Sequence, residues 1–319
     1  MTFRFSPVRV DDATAWAQLI SEAEVVDQTG EYYSAEDLTE EIESPMMDLE
    51  HGTRAVWDGE HLVAVAILHL GTSGEPYHRI FFDALVHPAY RRQGVGAQLV
   101  EWAVRVAPDL HAARFPGAPL QLHAEAAELN TDKGKLLARA GFAERRYFFT
   151  MVRDLHTDVT PPAPVDGVRV APFDFAYDEA TLELRNTTFA DHWGFTPMSA
   201  ESWKQWATGT RTFRPDLSYH AFDAAGVPVS FLLAHYFDAN TEATGKREAY
   251  IGTIGTVRDW RRKGVASMLI ARCLTDAKAQ GYDEASLGVD ADSPTGAVGV
   301  YEAAGFTVKQ RRSRWVLEF

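Results

Sequence analysis

Tyr250-Ile251-Gly252-Thr253-Ile254-Gly255-Thr256-Val257, followed after three intervening residues by Arg261-Arg262-Lys263-Gly264-Val265-Ala266, is the stretch whose reading decides the fold. The first part is β-branched and Gly-rich, which predicts a strand. Beyond it Val265, Met268, Leu269 and Cys273 recur at i, i+3, i+4 and i+8, which predicts a helix with one apolar face. The basic and Gly residues therefore fall where a strand hands over to a helix. A helix start presents unpaired N–H groups and the positive end of the helix dipole, a setting suited to phosphate. Gly264 and the small Ala266 let a pyrophosphate approach the backbone, and the Arg and Lys side chains add charge.

Working outward, Ala285–Asp290 reads as the next strand, and Ser293-Pro294 as the N-cap and first residue of a helix that ends at Gly305. Neither GxxxxGK[ST] nor GxGxxG with its acidic partner fits the loop. R/Q-x-x-G-x-G/A does fit. Strand, loop, helix, strand and a helix ending in Tyr301-x-x-x-Gly305-Phe306 together resemble the GNAT superfamily of N-acetyltransferases, in which this loop binds acetyl-CoA.

The same cradle occurs earlier. Arg91-Arg92-Gln93-Gly94-Val95-Gly96 precedes a helical pattern of Val95, Leu99, Trp102 and Val106, and Ala140-Gly141-Phe142 matches Ala304-Gly305-Phe306. Val8-Arg9-Val10 pairs with Val168-Arg169-Val170, and the offsets between matched positions run from 160 to 170 residues. That period marks a duplicated domain rather than a solenoid. The expected order in each copy is β-α-α-β-β-β-α-β-α-β. The fold class is thus α/β: two tandem GNAT domains, each a mixed, mostly antiparallel twisted sheet flanked by helices. Expected boundaries are 1–155, a Pro-rich linker at 156–166 that reads as stiff and exposed, and 167–319. The tandem arrangement is similar to that of the mycothiol synthase family.

Bulk properties narrow the function. The 319 residues carry a net charge of −14, which argues against a broad nucleic-acid surface and suits a cationic acceptor. There is no apolar run long enough for a transmembrane helix and no apolar leader at the start, so a cytoplasmic protein is expected. Cys273, the single cysteine, falls on an apolar helix face and reads as an inert core thiol. The eleven His are scattered without HExxH or Cys/His spacing, so no metal is expected.

The resemblance implies direct acetyl transfer from acetyl-CoA to an amine through a tetrahedral intermediate. It places cofactor contacts at Thr256, Val257 and Arg261, Arg262, Lys263, Gly264, Val265, Ala266, Ser267. In the first copy the matching positions are Leu85, Val86 and Arg91, Arg92, Gln93, Gly94, Val95, Gly96, Ala97. The strand residues, Thr256–Val257 or Leu85–Val86, are the expected region of the oxyanion donor. Tyr301 matches the family's general acid, since a phenol stays protonated at neutral pH. Leu137 stands at that position in the first copy, which also shows no matching base and is expected to be non-catalytic. Glu248, at the start of the strand before the second loop, is the candidate base, with Asp191 and His192 as rivals. Trp193 and Trp203 are the candidate acceptor wall. The implied activity is N-acetylation of a small-molecule or peptide amine by the second copy. Alternatives are the mycothiol synthase reaction on a cysteinyl sugar and a non-catalytic acyl-CoA sensor. No nucleic-acid or membrane partner is implied; the oligomeric state is open, with two fused copies in one chain favouring a pseudo-dimeric monomer.

Overall fold

The computed structural model describes residues 3–44 and 46–319. It contains two compact units, and their borders differ from those read in the sequence. The first comprises residues up to Tyr147 together with Arg312–Phe319, the second Phe148–Arg311.

In chain order the first unit holds β1 (Arg4–Ser6), α1 (Ala13–Asp27), α2 (Ala35–Ile42), α3 (Leu49–Gly52), β2 (Thr53–Asp58), β3 (His61–Leu70), β4 (His78–Val86), α4 (Val95–Arg114), β5 (Leu120–Ala127), α5 (Thr131–Arg139) and the start of β6 (Ala143–Asp154). The second holds the rest of β6, then β7 (Arg169–Pro172), α6 (Asp178–Thr188), α7 (Ala200–Trp203), β8 (Tyr219–Phe222), β9 (Pro228–His235), α8 (Asp238–Thr244), β10 (Glu248–Thr256), α9 (Val265–Ala279), β11 (Glu284–Asp290), α10 (Ala297–Ala303) and the start of β12 (Thr307–Glu318). The expected order appears in both, with the short α3 and α8 added.

Strands run β1-β2-β3-β4-β5-β12 in the first unit and β6-β11-β10-β9-β8-β7 in the second. The final strand of the chain thus completes the first sheet: Arg312–Glu318 pairs antiparallel with Ala127–Gln121 of β5. In turn Phe148–Asp154 of β6 pairs with β11. The linker between the copies is not freely exposed, because Val159 and Val165 pack against the core of the second unit.

Within each unit one parallel pair stands among antiparallel ones, and it opens. β4 pairs with β5 from His78↔Leu120 to Phe82↔Ala124, then continues to Val86 paired with β3 only. β10 pairs with β11 from Glu248↔Glu284 to Ile251↔Leu287, then continues to Thr256 paired with β9 only. These openings sit directly before the two Gly-rich loops.

Local chemistry explains most elements. Ser34 caps α2 by accepting the Asp37 N–H while the Asp37 carboxylate accepts the Ser34 N–H. On α9 the apolar stripe Val265, Met268, Leu269 and Cys273 is at most 6% exposed, and each fully buried large aliphatic side chain contributes about 1.5–3 kcal/mol. Burial also pushes the Cys273 thiol up to about 12, in keeping with an inert core residue. Two expectations need correction. Ser293 does not cap α10; Pro294 and Thr295 form a turn closed by Gly296 N–H to Ser293 O at 3.1 Å, and the cap is Gly296 at φ +69. Pro after Ser is as good a turn signal as a helix start. The helix expected over Ser199–Trp206 is α-helical only to Trp203, then widens into a π-turn over Lys204–Thr208. Among the described residues no helix is long and apolar enough to cross a membrane.

Candidate active site

The two loops share one backbone conformation. Arg92 and Arg262 both lie at positive φ, +65 and +60, and Gly94 and Gly264 follow at +87 and +86. For Arg this left-handed conformation carries strain, and such strain persists where the surroundings impose it. Neither glycine has a side-chain cap, and the first intrahelical bonds are Gln98 N–H to Gly94 O and Met268 N–H to Gly264 O. The N–H groups of residues 94–97 and 264–267 are therefore the open ends of α4 and α9. A Cβ on Gly264 would meet only Val165 Cγ2, at 3.7 Å, and one on Gly94 only Gln98 Nε2, at 3.9 Å. Each loop is a shallow anion cradle with room above it, and it fits the pyrophosphate of coenzyme A.

The basic side chains divide their work differently than expected. Arg261 Nε donates to Thr256 O at 3.1 Å, Nη1 to Asp191 Oδ2 at 2.6 Å, and Nη2 to Thr188 O at 2.8 Å. Arg91 repeats this, with Nε on Val86 O at 3.0 Å and a two-pronged grip on Asp27, the last residue of α1. The first Arg of each loop is thus a strut between strand end, loop and early helix, with most of its donors engaged there. Gln93 is turned onto Ala89 O at 3.0 Å, Lys263 lies over the Trp260 ring at 4.9 Å, and Arg92 pairs with Asp132 at 2.9 Å.

The strut also accounts for Asp191. Hydrogen bonds from Arg261 outweigh its partial desolvation and hold its carboxyl down to about 2. So low a value makes Asp191 a poor proton acceptor near neutral pH. His192 sits beside it, Nδ1 at 3.2 Å from Asp191 Oδ1, with its ring 4.6 Å from that of Phe189. Trp193 is half-buried on the same loop. Trp203 is not an acceptor wall: it is 2% exposed, packs in the core with Phe231, and donates its indole N–H to Asp178 at 2.7 Å.

Backbone donors can be assigned from the ladders. Val257 N–H is already bonded to Val229 O at 3.0 Å, so by the two-residue alternation of an antiparallel pair Thr256 and Ile254 point their N–H groups away from β9, toward the opening. In the first unit His87 N–H bonds Val63 O at 2.9 Å, which directs Val86 and Ala84 outward and turns Leu85 inward. Of the four expected donor residues, Thr256 and Val86 are available and Val257 and Leu85 are not.

The strand ladders also align the copies residue by residue. Phe82 and Ile251 are the last paired residues before each opening, and each carries the same β3 or β9 neighbour, Leu68 or Ala234. On this register Glu248 matches Arg79 and Tyr250 matches Phe81. Between Ile251 and Thr253 the second unit has a β-bulge at Gly252, where the first unit's register is regular. A Cβ on Gly252 would lie 2.9 Å from His235 Cδ2, so any side chain there would have to displace that buried ring. Bulges re-aim the strand that follows them.

Ala249 and Ile251 pack in the core with α9, so Glu248 and Tyr250 face the other side of the sheet. Burial raises the Glu248 carboxyl above its ordinary value, while hydrogen bonds with Ser286 and Asn240 oppose the shift. Tyr301, 7% exposed on α10, is pushed up to about 12 by burial, with Tyr250 as a further contribution. Leu137 occupies the matching place in α5: Phe142 N–H bonds Leu137 O at 3.1 Å as Phe306 N–H bonds Tyr301 O at 3.0 Å. Leu137 is fully buried.

The first unit has Arg79 at the position that matches Glu248, and it carries base-type groups at other positions. His69 Nε2 lies 3.7 Å from Glu41 Oε1, and burial together with Asp83 raises Glu41 to about 7. They arise on α2 and β3, far from any sequence motif. At this opening Lys133 Nζ donates to Ala84 O at 3.2 Å.

A family model described as "Acetyltransferase (GNAT) family" matches residues 15–130 and 179–306. Among curated proteins, a mycothiol acetyltransferase of Thermobispora bispora is 26% identical, covering 82% of this chain and 80% of its own. One of Salinispora tropica is 30% identical, covering 70% and 68%. Among solved structures, a GCN5-related N-acetyltransferase from Sphaerobacter thermophilus superposes with a TM-score of 0.78 at 25% identity, covering 99% of this chain and 95% of that one. A tandem GNAT protein from the clavulanic acid biosynthesis pathway reaches 0.71 at 18% identity, covering 99% and 98%.

Proposed function

This chain belongs to the acetyltransferase (GNAT) family and transfers an acetyl group from acetyl-CoA to an amine; we propose that the second unit alone does so, on the primary amine of a small molecule. The observation that carries this reading is the residue-by-residue contrast between two cradles of one conformation. Where the second unit has Glu248, Gly252 and Tyr301, the first has Arg79, an unbulged strand and Leu137.

In the second unit the N–H groups of residues 264–267 hold the pyrophosphate, and Arg261 keeps the loop against the strand end. The acetyl-CoA thioester supplies the activated acetyl group. Thr256 and Ile254 N–H face the opening, where a carbonyl oxygen gains negative charge as the amine attacks. Glu248 takes the proton of the incoming ammonium, directly or through water, and its burial favours that role by bringing its affinity for protons closer to neutral pH. Tyr301 keeps its proton at neutral pH and gives it to the departing thiolate. In the first unit Arg79 would repel an ammonium and Leu137 has no proton to give.

The names of the relatives favour a second, narrower reading, in which the acceptor is the cysteinyl sugar of the mycothiol synthase reaction. Coenzyme A release, measured with purified protein, acetyl-CoA and a panel of amines that includes this cysteinyl sugar, tests both. Turnover with simple amines but none with the sugar removes the narrower reading. Acetyl-CoA binding with no turnover on any amine makes the chain a sensor and removes both.

A further inference from the structure

We propose that Glu22, His61 and His87 of the first unit form a binding site for a divalent transition-metal ion of the zinc class. The three come from separate elements: Glu22 from α1, His61 from the first position of β3, and His87 from the residue after β4. One donor atom from each lies within 4.8 Å of the others. Glu22 Oε2 is 3.1 Å from His87 Nε2 and 3.9 Å from His61 Nε2. Those spacings bracket the roughly 3.3 Å that separates neighbouring ligand atoms around a tetrahedral ion with bonds of about 2.0–2.2 Å.

Glu22 Oε2 is shielded from water and takes part in no hydrogen bond, although His87 Nε2 is so near. Two groups that close, yet not aimed at each other, can both be aimed at a third point. A shielded carboxylate oxygen without a donor needs a cation to offset its lost hydration. The other carboxylate oxygen, Oε1, accepts from Gln18 Nε2 at 2.8 Å, an outer contact that fixes the orientation of the carboxylate. Two imidazoles with one carboxylate suit zinc, cobalt or nickel rather than the all-oxygen preference of calcium and magnesium. Water would complete the coordination. Binding has one local consequence: His87 Nδ1 accepts the Ala89 N–H at 3.2 Å, so ligation through Nε2 shifts the ring proton to Nδ1 and turns that exposed N–H to water. The ion would staple α1 and the start of β3 to the segment that leads into Arg91, beside the Arg91–Asp27 strut.

Calorimetric titration of the full-length chain, stripped with a chelator, against zinc chloride tests the site, with cobalt absorption as a check on geometry. Wild type should bind one equivalent more than the His61→Ala/His87→Ala variant, and melt higher with zinc than without. Glu22→Gln, which keeps the shape, should weaken binding at least about tenfold, and Gln18→Ala, an outer-contact change, by roughly 10-fold or more. If the double variant folds and binds as many equivalents as wild type, or if wild type shows no saturable binding at millimolar zinc, the proposal is wrong.

Discussion

At the scale of single residues, the second unit depends on two groups whose surroundings were set by burial. Tyr301→Phe keeps the ring and its edge contact with Phe306 but removes the proton that helps the thiolate leave. Its kcat should fall by about 10²-fold, within the range typical of general-acid help, with KM for acetyl-CoA nearly unchanged. A near-normal kcat in steady-state assays would assign the proton elsewhere. Glu248 must be ionised to act as a base, and burial holds its carboxyl above the ordinary 4.5. Activity should therefore decline as pH falls through that raised value, still above 4.5. Glu248→Gln should lower kcat/KM throughout and flatten this acid limb; an unchanged pH–rate profile would remove Glu248 from the mechanism.

At the scale of elements, the strand–loop–helix cradle works only while it is held against the early helix. Asp191→Asn removes one charge from the Arg261 strut, whose acid partner is about a third exposed. A stability loss of about 1 kcal/mol is expected, with KM for acetyl-CoA raised more than kcat is lowered. The sign with pH is fixed: the carboxyl falls from 3.8 unfolded to about 2 folded, so its contribution is full above pH 3.8 and fades as pH drops toward 2. Thermal melts of the variant should lack that acid-side loss, while an unaltered KM would make the strut structural only. Gly264→Glu places a side chain at φ +86 and a negative charge in the phosphate position, and should abolish turnover. Gly94→Glu should leave turnover in place and reduce acetyl-CoA binding by about one equivalent in calorimetry. Loss of activity in a stably folded Gly94→Glu protein would reverse the roles assigned to the units.

At the scale of the whole molecule, the first unit is completed by the end of the chain. Trp315 and Leu317, from the end of the chain, pack on the core that also contains Leu99, Leu122 and Leu137. A fragment of residues 1–155 lacks both and leaves the pairing edge of β5 open. Losing such aromatic and aliphatic contacts costs about 3–5 kcal/mol, so the fragment should unfold at lower urea than the first unit of the intact chain and bind hydrophobic dye. Cooperative unfolding of the fragment at the intact chain's midpoint would show that β12 contributes little. For the same reason the fragment's activity is a poor test of the first unit, and point variants in the intact chain are the better one.

Local patterning determined what depends on neighbours in sequence. The apolar period of α9, the capping box of Ser34 and the Gly-rich loops were legible because helix spacing, capping and positive φ are decided within a few residues. The duplication was legible because it repeats those local signals. Tertiary structure decided everything that needed distant residues to meet. Asp191 looked like a base until Arg261, 70 positions away, was seen to hold it as a carboxylate. Trp203 looked like a pocket wall until its indole met Asp178. Gly252 was one glycine among several until the β9 ladder made it a bulge. Glu22, His61 and His87 formed no local spacing at all, because a metal-ligand set drawn from a helix, a turn and a strand end has no period to read. Which strand completes each sheet was equally hidden, since an edge is chosen by the complementarity of whole surfaces rather than by the letters next to it.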